Sequence, residues 1–220
     1  WMLDILEFLG ARCCHKGDCL VIDARNITQT SIPERYVTAM RSSIVVLSAL
    51  LGRMGEGCSC YPGGCLIGAR PIDLMVLKSL GAEISETEGH IRAACGKGLT
   101  GTEIHLPYPS VGATEQAILG SVLARDVTII HGAAREPEIS QLCRFLNNMG
   151  AVICGMGTDH LMIQGVEELH DSSFRGPDCS RHVCSSSCSS HGKRDLKGSL
   201  SHGAGSSPGN AETGRCIGPH

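Results

Sequence analysis

The chain has 220 residues, of which 42% are apolar and only 3% aromatic, and it carries a formal charge of −3. That composition supports a core filled by aliphatic side chains and argues against a strongly basic nucleic-acid surface. The longest apolar run, 44–51, is broken at Ser48; it falls far short of the roughly 18–20 residues of a membrane span, and no basic segment leads into an apolar one as in a secretory signal.

The first residue is Trp1 rather than Met, which points to a longer protein. The first structural signal is Phe8-Leu9-Gly10-Ala11, a helix end that leads to a strand at Cys19-Leu20-Val21-Ile22 around the polar turn Lys16-Gly17-Asp18. Ser42 and Ser43 are placed to cap a helix carrying Ile44, Leu47, Leu51 and Met54, with a strand after it at 58–61. Pro71 opens a helix with Ile72, Val76 and Leu80 that Gly81 stops. Strands at Ile84 and at 90–93 flank Glu88-Gly89, and another strand covers 102–106. Residues 112–125 read as a helix with Ala117, Ile118, Val122 and Leu123 inward, followed by a strand over 127–131. Pro137 opens the next helix, with Ile139, Leu142, Leu146 and Met149, stopped by Gly150. Strands at 152–153 and 160–163 then flank Gly157-Thr158-Asp159.

Gly10, Gly81 and Gly150 lie 71 and 69 residues apart. Each stands where a helix ends in the left-handed region, which glycine enters without strain. The chain therefore reads as about two and a half α-β-α-β-β units of an α/β (α+β) fold. Composition changes near His170. Residues 171–220 hold twelve Ser, eight Gly and few large hydrophobes. Burial there cannot offset about 1–2 kcal/mol of ordering entropy per residue. Two regions follow: a folded 1–175 and a disordered 176–220.

Thirteen cysteines without a leader, many of them in apolar or strand-like runs (Cys58, Cys60, Cys95, Cys143, Cys154), predict reduced thiols and a cytoplasmic location. His15, His90, His105, His131 and His160 stand singly on strands or turns and read as exposed or internally satisfied. Gly96-Lys97-Gly98-Leu99-Thr100-Gly101 spells a dinucleotide fingerprint, but a strand rather than a helix follows it, so that mechanism fails. His182, Cys184, Cys188 and His191 have zinc-like spacing, yet Ser-rich filler without an apolar frame surrounds them.

The chemically distinctive segment is Tyr61-Pro62-Gly63-Gly64-Cys65-Leu66-Ile67-Gly68-Ala69-Arg70-Pro71. It places a thiol, Cys65, in a glycine-rich loop. Arg70 stands at the mouth of a helix, a natural site for an anion, and a positive neighbourhood lowers a thiol pKa.

This segment resembles the active-site loop of the UDP-N-acetylglucosamine 1-carboxyvinyltransferases, the enolpyruvyl transferases that open peptidoglycan synthesis. Met40-Arg41-Ser42-Ser43, Ser110-Val111-Gly112-Ala113-Thr114, Ala133–Ile139 and Gly157-Thr158-Asp159 match that family in the same order. The resemblance runs to about Arg175. It implies an inside-out α/β barrel of repeated units, with helices packed in the middle. It also implies transfer of enolpyruvyl from phosphoenolpyruvate to the 3′-hydroxyl of UDP-N-acetylglucosamine by addition and elimination, with no metal and no organic cofactor. On that resemblance Cys65 is the general acid, and the thiol that fosfomycin alkylates. Arg41 and Arg70 neutralise phosphoenolpyruvate. Arg70, Pro71, Ile72, Asp73 and Leu74 meet the uridine nucleotide. Ser110, Val111 and Gly112 form the diphosphate-binding turn.

Tyr108-Pro109 stands where the family carries a basic residue. The family's first strand and its Lys-Asn pair precede the matched region, and its aspartate base lies in a second domain. Phe174-Arg175 and Pro177-Asp178 resemble the approach to that domain, after which the likeness stops. The expectation is a reading-frame shift near 175–178 and a chain that is inactive alone. The alternative is a non-catalytic remnant that binds UDP-sugar.

Overall fold

Three hairpins, each entered from a helix that ends on a glycine, organise the chain. The computed structural model describes residues 1–39, 44–60, 71–87, 89–175 and 182–186. Helix α1 (Met2–Leu9) leads through Gly10 to β1 (Arg12–Lys16) and β2 (Cys19–Asp23), which pair antiparallel. Gly10 has φ 113°, and a Cβ there would run into the carbonyl of Asn26, so both conformation and space exclude a side chain.

Pro33 precedes α2 (Glu34–Ala39), a short helix the sequence pattern does not announce. Helix α3 (Val45–Met54) has Ile44, not a serine, at its N-cap, without a side-chain cap bond; Ser42 and Ser43 lie outside the described residues. Next come β3 (Glu56–Cys60), α4 (Pro71–Ser79), β4 (Glu83–Thr87) and β5 (His90–Ala94). The third stretch comprises β6 (Glu103–His105), α5 (Val111–Ser121), β7 (Val127–His131), α6 (Pro137–Asn148), β8 (Val152–Cys154) and β9 (His160–Gln164). Helix α5 stops short of Arg125 because the Arg125 N–H is taken by the Leu99 carbonyl and its guanidinium by the Thr100 hydroxyl, at 2.9 and 2.8 Å. Asp126, at φ 66°, then turns the chain into β7.

The sheets have orders β3-β5-β4 and β6-β7-β9-β8. In both, the strand that follows a helix (β3 or β7) pairs antiparallel with the second strand of the next hairpin. On its other side β7 pairs parallel with β6, and β3 makes a parallel bridge from Cys58 to Ser31. The third sheet runs β1-β2-β11-β10, with β10 (Ser172–Arg175) and β11 (His182–Ser186). Five residues of the compositionally disordered stretch thus form a strand parallel to β2. All described residues belong to one unit, Trp1–Ser190.

Helix α5 packs against α3, α4 and α6 and is buried on most of its circumference. Its small residues Ala113, Ala117 and Gly120 permit that crowding, and Leu77, Leu80, Ile91, Ile104, Ile118, Ile130 and Ile163 close the core around it with essentially no exposure. Each such aliphatic side chain contributes roughly 1.5–3 kcal/mol. A second cluster of Ile5, Leu9, Ile32, Val37, Leu50 and Cys60 fills the space among α1, α2 and α3. Burial alternates residue by residue along β6, β7 and β9, as in a sheet with one face on the core, although β7 turns Thr128 inward and Val127 outward, and β9 turns Met162 outward. Among the described residues no helix is long and apolar enough to cross a membrane.

Candidate active site

Three motifs far apart in sequence meet at one end of the β6-β7-β9-β8 sheet. Ser110 caps α5: it has extended backbone, and its hydroxyl accepts the Ala113 N–H at 3.4 Å. Its carbonyl takes the Thr114 N–H at 2.9 Å and the Thr114 hydroxyl at 2.8 Å. A helix leaves its first N–H groups without internal partners. Here the cap accounts for Ala113 and Thr114, so the N–H groups of Val111 and Gly112 have no partner among the described residues and are open to an anion or solvent.

The Thr114 hydroxyl also accepts the Ala134 N–H at 3.0 Å, which fixes the β7–α6 loop to the start of α5. In that loop the Ala133 N–H donates to the Asp159 carbonyl at 3.0 Å. The Arg135 guanidinium lies 2.9 Å from the Asp159 carboxylate. The His160 ring, at 2.8 Å, does most to hold that carboxyl below its ordinary value, with a backbone hydrogen bond and Arg135 adding to it. The Thr158 hydroxyl donates to the Gly155 carbonyl at 2.8 Å and accepts the His160 N–H at 3.1 Å, shaping the β8–β9 turn. The residue arrangement at this end is therefore a helix N-terminus, a pinned loop and one exposed arginine.

Of the residues singled out from sequence, Ser110, Val111 and Gly112 fall together at the N-terminus of α5, all half-buried. Ile72, Asp73 and Leu74 lie in the first turns of α4 and are buried. Asp73 sits where the helix dipole favours a negative charge. Pro71 is the first residue of α4. Arg41, Cys65 and Arg70 lie outside the described residues, as do Cys188 and His191 of the zinc-like spacing.

Cys154 lies on a strand as expected and is exposed, because β8 turns it to the outward face. One expectation is corrected. His105, His131 and His160 do not stand singly. Strand register puts them side by side on the outer face of β6, β7 and β9. The Thr114–Ala134 link, which sequence reasoning did not pair, had one available signal: both residues sit in motifs shared with the same family.

Residues 1–181 match the sequence profile of the EPSP synthase (3-phosphoshikimate 1-carboxyvinyltransferase) family. The chain is similar to UDP-N-acetylglucosamine 1-carboxyvinyltransferase 2 of Caldanaerobacter subterraneus, 47% identical over 175 residues, covering 79% of this chain and 42% of the relative. It is also similar to the UDP-N-acetylglucosamine 1-carboxyvinyltransferase of Gluconacetobacter diazotrophicus, 47% identical over 182 residues, covering 80% and 43%. Among solved structures it resembles the enolpyruvyl transferase NikO from Streptomyces tendae, with TM-score 0.64 and 20% identity, over 83% of this chain and 41% of that one. The chain thus spans only 42–43% of the length of these two curated relatives.

Proposed function

The chain belongs to the EPSP synthase (3-phosphoshikimate 1-carboxyvinyltransferase) family, a family of enzymes, and on that footing we propose that it carries part of the site for enolpyruvyl transfer to UDP-N-acetylglucosamine in peptidoglycan synthesis. The observation that carries the choice of acceptor is the 47% identity to relatives named for that sugar nucleotide, together with the Pro62-Gly63-Gly64-Cys65 loop.

In the proposed reaction the 3′-hydroxyl oxygen bonds to C2 of phosphoenolpyruvate as its O–H proton passes to a base, the aspartate expected in the second domain. At the same time the electron pair of the C2–C3 double bond takes a proton from Cys65 at the methylene carbon. A proton then leaves the new methyl group and the C2–O bond to phosphate breaks, which restores the double bond and releases inorganic phosphate. Arg41 and Arg70 balance the phosphate and carboxylate charge, a role suited to guanidinium geometry. Arg70, Pro71, Ile72, Asp73 and Leu74 line the nucleotide end. Ser110, Val111 and Gly112 bind the diphosphate through backbone N–H groups, a reading supported by the two N–H groups that the Ser110 cap leaves open. The reaction needs no metal or organic cofactor, and its substrates place it in the cytoplasm.

The same reading makes 1–175 a piece of an inside-out α/β barrel built from repeated units, and 176–220 an out-of-frame tail. Translating the coding DNA across residues 169–188 in all three frames tests the tail: a neighbouring frame that continues the family sequence supports it, and three unrelated frames refute it. Because the matched region is 42% of a relative's length, we assign little or no turnover to the 220 residues alone. Titration with UDP-N-acetylglucosamine beside a phosphate-release assay tests both parts. Saturable binding that shikimate 3-phosphate does not displace is the expected result, and no binding defeats the acceptor assignment. Phosphate release at the rate of a full-length relative defeats the assignment of inactivity. Binding without turnover by any longer version of the chain favours the non-catalytic remnant instead.

A further inference from the structure

The outer face of the β6-β7-β9-β8 sheet carries a row of imidazoles that the transfer reaction does not use. His105 is opposite His131 in the parallel β6–β7 pair, and His131 is opposite His160 in the antiparallel β7–β9 pair. The rings of His105 and His131 stack with centroids 4.3 Å apart and planes 4° from parallel. The His160 ring meets His131 edge-on at 5.0 Å. Glu103 lies two residues before His105 on the same face, with its carboxylate 3.6 Å from His105 Nε2. One ligand atom each from Glu103, His105 and His131 lies within 4.8 Å of the others.

We propose that Glu103, His105 and His131 form a surface site for one divalent late first-row transition ion of the Zn²⁺, Ni²⁺ or Co²⁺ class, with His160 as a flanking fourth donor. Two imidazoles and a carboxylate suit such an ion, whereas Mg²⁺ and Ca²⁺ prefer all-oxygen sets. Metal–nitrogen and metal–oxygen bonds of about 2.0–2.2 Å place neighbouring ligand atoms roughly 3–4 Å apart. From 4.8 Å that needs only small side-chain rotations, and Glu103 and His105 are exposed enough to make them. The backbone carrying the donors is hydrogen-bonded strand, which holds their spacing better than a loop does. The Asp159 carboxylate, 2.8 Å from His160 Nδ1, leaves Nε2 as that ring's available nitrogen, the usual way a carboxylate sets a metal-binding tautomer. His131 directly precedes the loop that Thr114 pins through Ala134. An ion at this site therefore braces three strands at the base of the loop bearing Arg135.

The test is a Ni²⁺ titration of the full ¹⁵N-labelled chain, with amide signals followed residue by residue, so that binding by the cysteines reads separately. The expected result is early paramagnetic broadening centred on Ile104, Ile130 and Leu161 and their neighbours. It should require about tenfold more Ni²⁺ in His131→Gln, and Mg²⁺ should cause no change there. If His131→Gln does not fold, His105→Gln, at an exposed position, gives the same reading. Broadening confined to cysteine-bearing segments or to 176–220, or broadening at β7 undiminished in these variants, overturns the proposal.

Discussion

The Thr114 hydroxyl accepts the N–H of Ala134 at 3.0 Å while donating to the Ser110 carbonyl at 2.8 Å. One oxygen thus joins the cap of α5 to the β7–α6 loop, between residues that are themselves 0% and 1% exposed.

Replacing that hydroxyl by a methyl tests its role. Thr114→Val keeps the volume and leaves the Ala134 N–H buried without an acceptor. A buried donor without its partner costs about 1–3 kcal/mol. The unfolding free energy from urea titration should fall by that amount with an unchanged slope and so a lower midpoint, and Thr114→Ser should restore most of it. Equal stability of Val and Ser variants contradicts the role.

Inside the bundle, Ser48 on α3 donates to Gln116 Oε1 on α5 at 3.0 Å, with both residues fully buried. Among the described residues Gln116 Nε2 has no hydrogen-bond acceptor. Ser48→Ala alone should cost about 1–3 kcal/mol by stranding the carbonyl. Ser48→Ala/Gln116→Met removes both the stranded acceptor and the unmatched amide, so it should cost less than the sum of the single changes. Strict additivity in a double-mutant cycle by urea unfolding goes against this coupling.

Thiol chemistry should sort the cysteines by burial. Burial pushes the Cys143 thiol up to about 11, so almost none of it is thiolate at neutral pH. Cys95 is buried and donates to the carbonyls of Leu51 and Gly55 at 3.5 and 3.4 Å. Cys14 and Cys154 are exposed. Brief alkylation of the native chain with peptide mapping should modify Cys14 and Cys154 well before Cys95 and Cys143. Early modification of Cys143 means that α6 opens readily from the core.

What the sequence made legible follows from the range of the forces involved. Helix ends at Gly10, Gly81 and Gly150 are local decisions of backbone sterics, and all three glycines have φ between 90° and 113°. The Pro137 start and the Val127–His131 strand are local as well, and both are found. Helix α2 is six residues long, too short for periodicity to mark it. The imidazole row was illegible for a different reason: it depends on which residue faces which across β6, β7 and β9, and register is a non-local choice. The same holds for Thr114 with Ala134. At the candidate site, Ser110, Val111 and Gly112 were placed by motif, and the structure adds the cap that leaves two of their N–H groups open.

Two carboxylates give opposite pH dependences. The His160 ring, a backbone hydrogen bond and Arg135 hold Asp159 below its ordinary value of 3.8. A depressed folded value means that the unfolded chain binds protons first, so the stabilisation is present above 3.8 and is lost as pH falls through the folded value. Burial, helped by the charge of Glu138, raises Glu115 above its ordinary 4.5. There the folded chain binds the proton first, so stability is lost as pH rises from 4.5 through the folded value. Urea midpoints measured across acid and neutral pH should show Asp159→Asn less stable than the parent at neutral pH, the gap closing in acid. Glu115→Gln should be more stable than the parent at neutral pH, with that gap closing below 4.5. Solvent screens the Asp159 effect, because its partners His160 and Arg135 are 61% and 62% exposed. A Glu115→Gln variant whose stability tracks the parent at every pH removes burial as the cause of the shift.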